Sequence, residues 1–337
     1  MSNQGVTVTS HTASNLKQGS RLKTFIRRNL NEITLLIGLV LVGAFISFNS
    51  SAFLTPANLI NVLRSAAFLG IVTWGMTLVI IAGEIDVSVG PAVAFSAVFF
   101  GWLVTNNQIP LPLGIVLVMI TVTGVGYMAG FIRARFNVPS FVTSLALWSV
   151  YDGLKQVLSN NIPIPVADES FRIWGRDDLL GIPYPIIIAG ILFLVFRYVS
   201  KNTVYGRSIY AVGGNAKAAF ASGINVSKIR ASVFAITGAL AAITGLLQVS
   251  RLGSATGQVA AGLEFSAIAA VVIGGTSLSG GRGTMIGSLI GVLFISVIGN
   301  GLVLMGVNSQ VQNVVRGVLI LVAVLLNVIF KQQSKEI

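Results

Sequence analysis

The chain has 337 residues, 54% of them hydrophobic and only 9% charged, with a mean hydropathy of +0.86. So few charges cannot cover the surface of a water-soluble protein, whereas a lipid-facing surface needs none, which leaves a multi-span α-helical membrane protein. The net charge of +12 sits in loops flanking apolar runs, where it orients a membrane protein rather than binding nucleic acid, and the absence of cysteine excludes a disulfide framework, a thiolate metal site and a cysteine nucleophile.

Residues 1–29 are polar and then basic (Lys17, Arg21, Lys23, Arg27, Arg28) and read as a disordered cytoplasmic tail. The apolar run Ile33–Phe48 follows a long polar lead and has no clear small-x-small cleavage site behind it, so it reads as an uncleaved first span rather than a signal peptide. Ala52–Arg64, with Pro56 near a helix start, is expected to lie as an interfacial helix along the outer face. Further spans are expected over about 66–83, 89–105, 111–132, 139–158, 183–199, 231–250, 264–281, 284–304 and 310–330. The fold is then all-α, with about ten transmembrane helices and both termini cytoplasmic. A transmembrane domain spans 30–331 and a short cytoplasmic tail 332–337. With the N-terminus inside, sixteen basic residues fall in inner segments and five in outer ones, with Arg316 left inside a span. The acids separate the other way, with Asp168, Glu169, Asp177 and Asp178 in the outer loop 159–182.

The longest inner segment carries Lys201, Arg207, Lys217, Lys228 and Arg230 and no acid. Within it, Asn215–Ile224 reads as a short helix stopped by Gly223. A basic face there could bind anionic lipid, but an Asn-capped helix with a glycine stop is not required for that. Docking of a soluble motor protein is the better reading.

There are 37 glycines. Gly124, Gly126, Gly130, Gly287 and Gly291 have the spacing of close helix–helix packing. Two stretches interrupt hydrophobic runs instead: Ala82–Gly90 and Gly274–Gly283. Paired breaks of this kind point to a transport pathway. In the first, Glu84 and Asp86 stand two apart and so not on one helical face. Two readings stay open: charges at the inner membrane edge, solvated or capping the helix that begins near Ser88, or groups acting directly in gating or coupling. Glu264 reads as a charge at a helix N-terminus. Leu278–Arg282 (LSGGR) mimics an ATPase signature, but no P-loop occurs anywhere in the chain, and the single histidine, His11, lies in the N-terminal tail. Nucleotide binding and histidine-based catalysis therefore lack support.

Three separated motifs in order resemble the permease subunits of bacterial ABC sugar importers of the ribose, xylose and arabinose type, over nearly everything from Ile33 to Phe330. That family's G-x-x-D-x-S-V-G stretch appears as Gly83-Glu84-Ile85-Asp86-Val87-Ser88-Val89-Gly90. Its second stretch runs from Gly206-Arg207 through Gly213-Gly214-Asn215, Ala218 and Ala219 to Gly223-Ile224. Gly274, Gly275, Ser277, Gly280 and Gly281, then Gly287 and Asn300-Gly301, complete the pattern. Glu84 departs from it, since relatives commonly carry a small residue there.

The resemblance implies a division of labour. The residues from Gly206 to Ile224 would couple to a cytoplasmic ABC ATPase, often with two fused nucleotide-binding domains, which binds ATP and Mg; this subunit would need no cofactor of its own. A second permease copy, identical or paralogous, would complete the channel within membrane lipid. An extracytoplasmic sugar-binding protein would deliver a pentose, hexose or deoxyhexose. Gly83, Glu84, Asp86, Ser88, Gly90, Gly274, Gly275, Ser277, Gly280 and Asn300 are the candidates for translocation and gating. Sugar sites combine aromatic faces with polar side chains; Trp74, Trp148, Tyr151, Asp152 and Asn300 are of that kind, without a distinctive arrangement in sequence. Two other transporters compete: a cation-coupled carrier using Glu84, Asp86 and Glu264, and an ABC permease for branched-chain amino acids or nucleosides. An integral membrane enzyme lacks a nucleophile, base or metal cluster.

Overall fold

The computed structural model describes residues 30–333, so the expected basic tail at 1–29 and the last residues of the C-terminal tail lie outside the described residues. Among the described residues thirteen α-helices follow one another: α1 Leu30–Asn49, α2 Pro56–Ile81, α3 Val89–Gly101 (continued by a π-helical turn over Trp102–Asn106), α4 Leu111–Phe136, α5 Ser140–Ser159, α6 Glu169–Arg176, α7 Tyr184–Asn202, α8 Val204–Gly214, α9 Ala216–Ala221, α10 Val226–Leu252, α11 Leu263–Ile273, α12 Met285–Leu304 and α13 Ser309–Gln333. Four two-residue strands make two small ladders, β1 (Ile164–Pro165) on β4 (Ser254–Ala255) and β2 (Asp178–Leu179) on β3 (Ile182–Pro183).

Pro56 occupies the first turn of α2, where its missing N–H costs nothing. Gly70 and Gly75 lie buried within it without breaking it, and the helix runs for 26 residues until Gly83 (φ +79°) turns the chain. This corrects the expected interfacial helix over Ala52–Arg64: Asn58 and Val62 are buried on the same helix that forms the span. At about 39 Å, α2 exceeds the hydrocarbon core of a bilayer, and its first turns stand beyond it.

Seven helices among the described residues are long and apolar enough to cross a membrane: Glu32–Asn49, Pro56–Ile81, Val89–Asn106, Leu111–Phe136, Tyr184–Asn202, Val226–Leu252 and Met285–Leu304. The span expected over 139–158 is helical as α5 but too polar to join them. The one expected over 264–281 is corrected: helix α11 stops at Ile273 because Gly274 and Gly275 (φ +85°) turn the chain, leaving about 16 Å of helix.

The core sits around α2, α3 and α10. Lipid gives helices no hydrophobic reason to associate, so they meet where small residues allow backbones to touch. A side chain at Gly126 of α4 would sit 2.6 Å from the Phe234 carbonyl of α10, and one at Gly238 of α10 2.6 Å from the Val122 carbonyl of α4. Gly130, Gly287 and Gly291 make similar close approaches as expected, but Gly124 faces open space. Away from the basic end that holds α8 and α9, the segment between α5 and α7 folds onto the bundle. Asp168 caps α6, and hydrogen bonds from the Ser170 hydroxyl and the Phe171 N–H hold its carboxyl below the usual carboxylate range. Phe171 then inserts against Phe100, ring centroids 4.7 Å apart.

Candidate functional site

At the basic end, three capped turns shape the segment after α7. The Thr203 hydroxyl accepts the Gly206 N–H (3.0 Å) and starts α8. Gly206 itself passes so close to the Val199 and Ser200 carbonyls that no Cβ fits. The Asn215 side chain accepts the Ala218 N–H (3.1 Å) and starts α9, and Asn225 accepts the Lys228 N–H (2.9 Å) to start α10. Between the last two, Gly223 takes φ +83°, a conformation open to glycine and strained for other residues. The short helix expected at Asn215–Ile224 is thus present as α9. Its outward face carries Lys217, Ala218 and Phe220, the last 73% exposed, whereas Ala219 is buried and Ile224 half-buried. Arg207 is exposed on α8.

Beneath α8 and α9 the three glycine motifs meet. The Ile81 carbonyl, the last of α2, accepts the Gly281 N–H at 2.8 Å. Gly213 presses on the same carbonyl, closer than any Cβ allows. A Cβ on Gly280 (φ +78°) would fall 2.8 Å from both Gly83 Cα and the Gly213 carbonyl, and one on Gly281 (φ +72°) 2.7 Å from Gly214 Cα. Gly83 (φ +79°), Gly213, Gly214, Gly280 and Gly281 therefore touch backbone to backbone. The Tyr210 hydroxyl of α8 donates to the Gly283 carbonyl (2.9 Å); burial pushes its pKa up and keeps it a donor. Ser277 N–H bonds the Arg282 carbonyl (3.0 Å) and closes the 277–282 turn, so the LSGGR stretch serves this junction. Gly274 lies against Gly287 where α11 and α12 cross.

Glu84, next to the junction, is 1% exposed. Its Oε2 accepts Arg133 Nε at 2.7 Å and its Oε1 lies 2.6 Å from Arg230 Nε. The reading of Glu84 as solvated or helix-capping is corrected: it bridges the end of α4 to the start of α10. Sequence reasoning counted both arginines only as loop charges, although a carboxylate at membrane depth signals that a basic partner must exist. Asp86 does not cap the N–H groups of α3, whose first turn has no side-chain cap; its Oδ1 accepts both the N–H (2.9 Å) and hydroxyl (2.6 Å) of Ser88, the residue just before the helix. The extended chain between them is pinned where Ile85 N–H donates to Ser140 Oγ (3.1 Å).

The remaining candidates lie elsewhere. Asn300 and Asn58 exchange amide hydrogen bonds (2.8 and 3.0 Å), tying α12 to α2. Trp74 is buried and donates to the Ala189 carbonyl (3.2 Å), and Tyr151 is buried against Phe95, ring centroids 5.1 Å apart. Gly90 faces Glu264 in the first turn of α11, and Trp148 Nε1 donates to Glu264 Oε1 at 3.2 Å. Among the described residues no group of three or more His, Cys, Asp or Glu could hold a metal ion.

A family model described as "Branched-chain amino acid transport system / permease component" matches residues 58–324. The chain is 48% identical to a probable ABC transporter permease protein, YphD, of Escherichia coli (strain K12), over 94% of this chain and 95% of that protein. It is 40% identical to the ribose import permease protein RbsC of Bacillus subtilis (86% and 91% covered) and 33% identical to the L-arabinose ABC transporter permease protein AraH of Azospirillum brasilense (91% and 90% covered). No solved structure matches the chain. Motifs, helical membrane architecture and relatives agree: this chain belongs to the permease family of ABC importers that includes the ribose, arabinose and xylose permeases.

Proposed function

We propose that the chain is the membrane-spanning subunit of an ATP-driven importer for a small carbohydrate of the pentose, hexose or deoxyhexose class, in a bacterial inner membrane. The observation that carries this is the glycine junction, which ties the exposed segment around α9 to the end of α2, a helix buried along most of its length. A cytoplasmic ATPase that grips α9 would then push on the spans directly, and Phe220 with Lys217 offers it an apolar and basic grip. ATP and Mg belong to that partner, and the permease itself carries out no catalysis. Two permease copies, identical or paralogous, form the channel, and an extracytoplasmic binding protein delivers the sugar. The relatives named for ribose, arabinose and xylose support the sugar reading over the amino acid named in the family description. A cation-coupled carrier is disfavoured because Glu84 is matched by two arginines and Asp86 by Ser88.

The absence of cysteine makes the test direct. Single cysteines at Lys217 and Ser222, both exposed, are cross-linked in native membranes and compared with Ser170, an exposed residue at the opposite end. The expected result is capture of a nucleotide-binding protein at the first two sites only. Capture of lipid alone, with the control labelling normally, would overturn the coupling role.

A further inference from the structure

Helix α5 fails to be apolar enough for a span because its second half carries Trp148, Asp152, Lys155 and Gln156. A helix with such side chains needs protein or water beside it at membrane depth. Trp148, Asp152 and Lys155 line a cavity of about 140 Å³ whose other walls are the start of α3 and the segment 257–262. Lys155 and Gly257 also line a second cavity, of about 430 Å³, which adds Gln156, Thr256 and Gln258.

The segment 257–262 runs as consecutive turns from the β1–β4 pair to the short helix α11. Irregular backbone is stable within a membrane only where protein covers it or a water-filled cavity receives it. Arg316 of α13 covers the Ala261 and Gly262 carbonyls, at 3.4 and 3.3 Å.

Glu264 sits where these parts converge, and it is 3% exposed. Trp148 fixes one oxygen, while Oε2 meets no donor among the described residues. That oxygen occupies the space Gly90 leaves by lacking a side chain, in the wall of the smaller cavity. A buried carboxylate oxygen without a donor is costly, so the site is short of one hydrogen-bond donor. Asp152 has no such need, being held by Lys155 Nζ (2.6 Å) and Gln156 Nε2 (2.7 Å). With Lys155 in the wall and Arg316 close behind it, positive charge is already supplied, which favours a neutral donor over a cation.

We propose that this cavity is a low-affinity subsite for a neutral polyol, a pentose or related sugar, on its way through the permease. A sugar hydroxyl donates to Glu264 Oε2 and a ring face lies on the Trp148 indole, while the Asp152–Lys155–Gln156 cluster offers exchangeable partners at the mouth. Weak binding suits a pathway, where a solute must leave as readily as it enters. The proposal rests on the sugar-importer reading above.

The test uses the assembled transporter with its ATPase and binding protein. Variants Glu264→Gln and Trp148→Phe are compared with wild type in uptake of labelled ribose, xylose and arabinose. Tryptophan fluorescence of the permease–ATPase complex in nanodiscs is titrated with the same sugars at millimolar concentration. The expected result is a sugar-dependent fluorescence change that Trp148→Phe abolishes, although three other tryptophans remain. Uptake by Glu264→Gln is expected to fall about tenfold, the effect of one lost hydrogen bond to a charged group. If Glu264→Gln fails to insert, Trp148→Phe, which keeps an aromatic ring in place but loses the indole N–H and the second ring of the stacking face, decides alone. Wild-type uptake and titration in both variants would overturn the subsite and leave the importer standing. A wild-type transporter that carries none of the three sugars but carries another class of solute would overturn the sugar reading, and the subsite with it.

Discussion

At the residue scale, Glu84 shows how much one side chain can hold together. Its carboxylate joins two arginines that arrive from different helices, and all three are largely withdrawn from water. Removing one member of a buried ion group leaves charge uncompensated, which costs about 3–5 kcal/mol when burial is complete. The arginines retain 16–17% exposure, so Glu84→Gln is expected to cost somewhat less, about 2–3 kcal/mol. The loss is read as a lowered Tm of the purified permease, and an unchanged Tm would mean the bridge is idle. Sequence reasoning located the carboxylate but not its bridge: Arg133 and Arg230 lie 49 and 146 positions away, and distance along the chain says nothing about which basic residue closes the contact.

At the scale of elements, the three glycine motifs were legible one by one. Gly223 as a helix stop and Asn215 as a cap follow from local chemistry, and the structure carries both. Their convergence was not legible, because a glycine required by a close approach looks the same in sequence as one required by a turn. Gly213 and Gly214 separate the two cases. A methyl group at Gly213 would collide with the Ile81 carbonyl and the Gly281 amide, whereas one at Gly214 meets nothing within 4 Å. Gly213→Ala is therefore expected to abolish uptake at normal membrane levels, and Gly214→Ala to leave uptake near wild type with a helix end slightly firmer, by up to about 1 kcal/mol. Equal behaviour of the two variants in the transport assay would remove the junction from the coupling route. At α11 the glycine break after Ile273 is visible in the sequence, but not that it ends the helix: the span expected over 264–281 crosses it, whereas eleven residues of helix meet a turn at Gly274.

At the scale of the whole molecule, the membrane class and the helical fold were legible from composition alone, since 9% charged residues leave no alternative. Which helices face lipid was less so. Helix α2 is apolar and yet buried along most of its length, while α1 and α7 are apolar and largely exposed. Hydropathy measures transfer out of water and does not distinguish lipid from protein as the destination. The polar half of α5 was visible as Trp148, Tyr151 and Asp152, but its partner Glu264 comes from a helix more than a hundred residues later, and only folding unites them.

The meeting of Gly213, Gly281 and Ile81 without an intervening side chain also has a consequence in time. Side chains absorb small displacements by changing rotamer; bare backbone has no such give. Whatever moves α8 and α9 must either carry α2 along or break the bond between the Gly281 amide and the Ile81 carbonyl. That single amide proton is thus a clock for the transport cycle. If the bundle swings as one body, deuterium enters at Gly281 as slowly during turnover as at rest. If the cycle parts the loop from the bundle, exchange there accelerates with every molecule of ATP consumed.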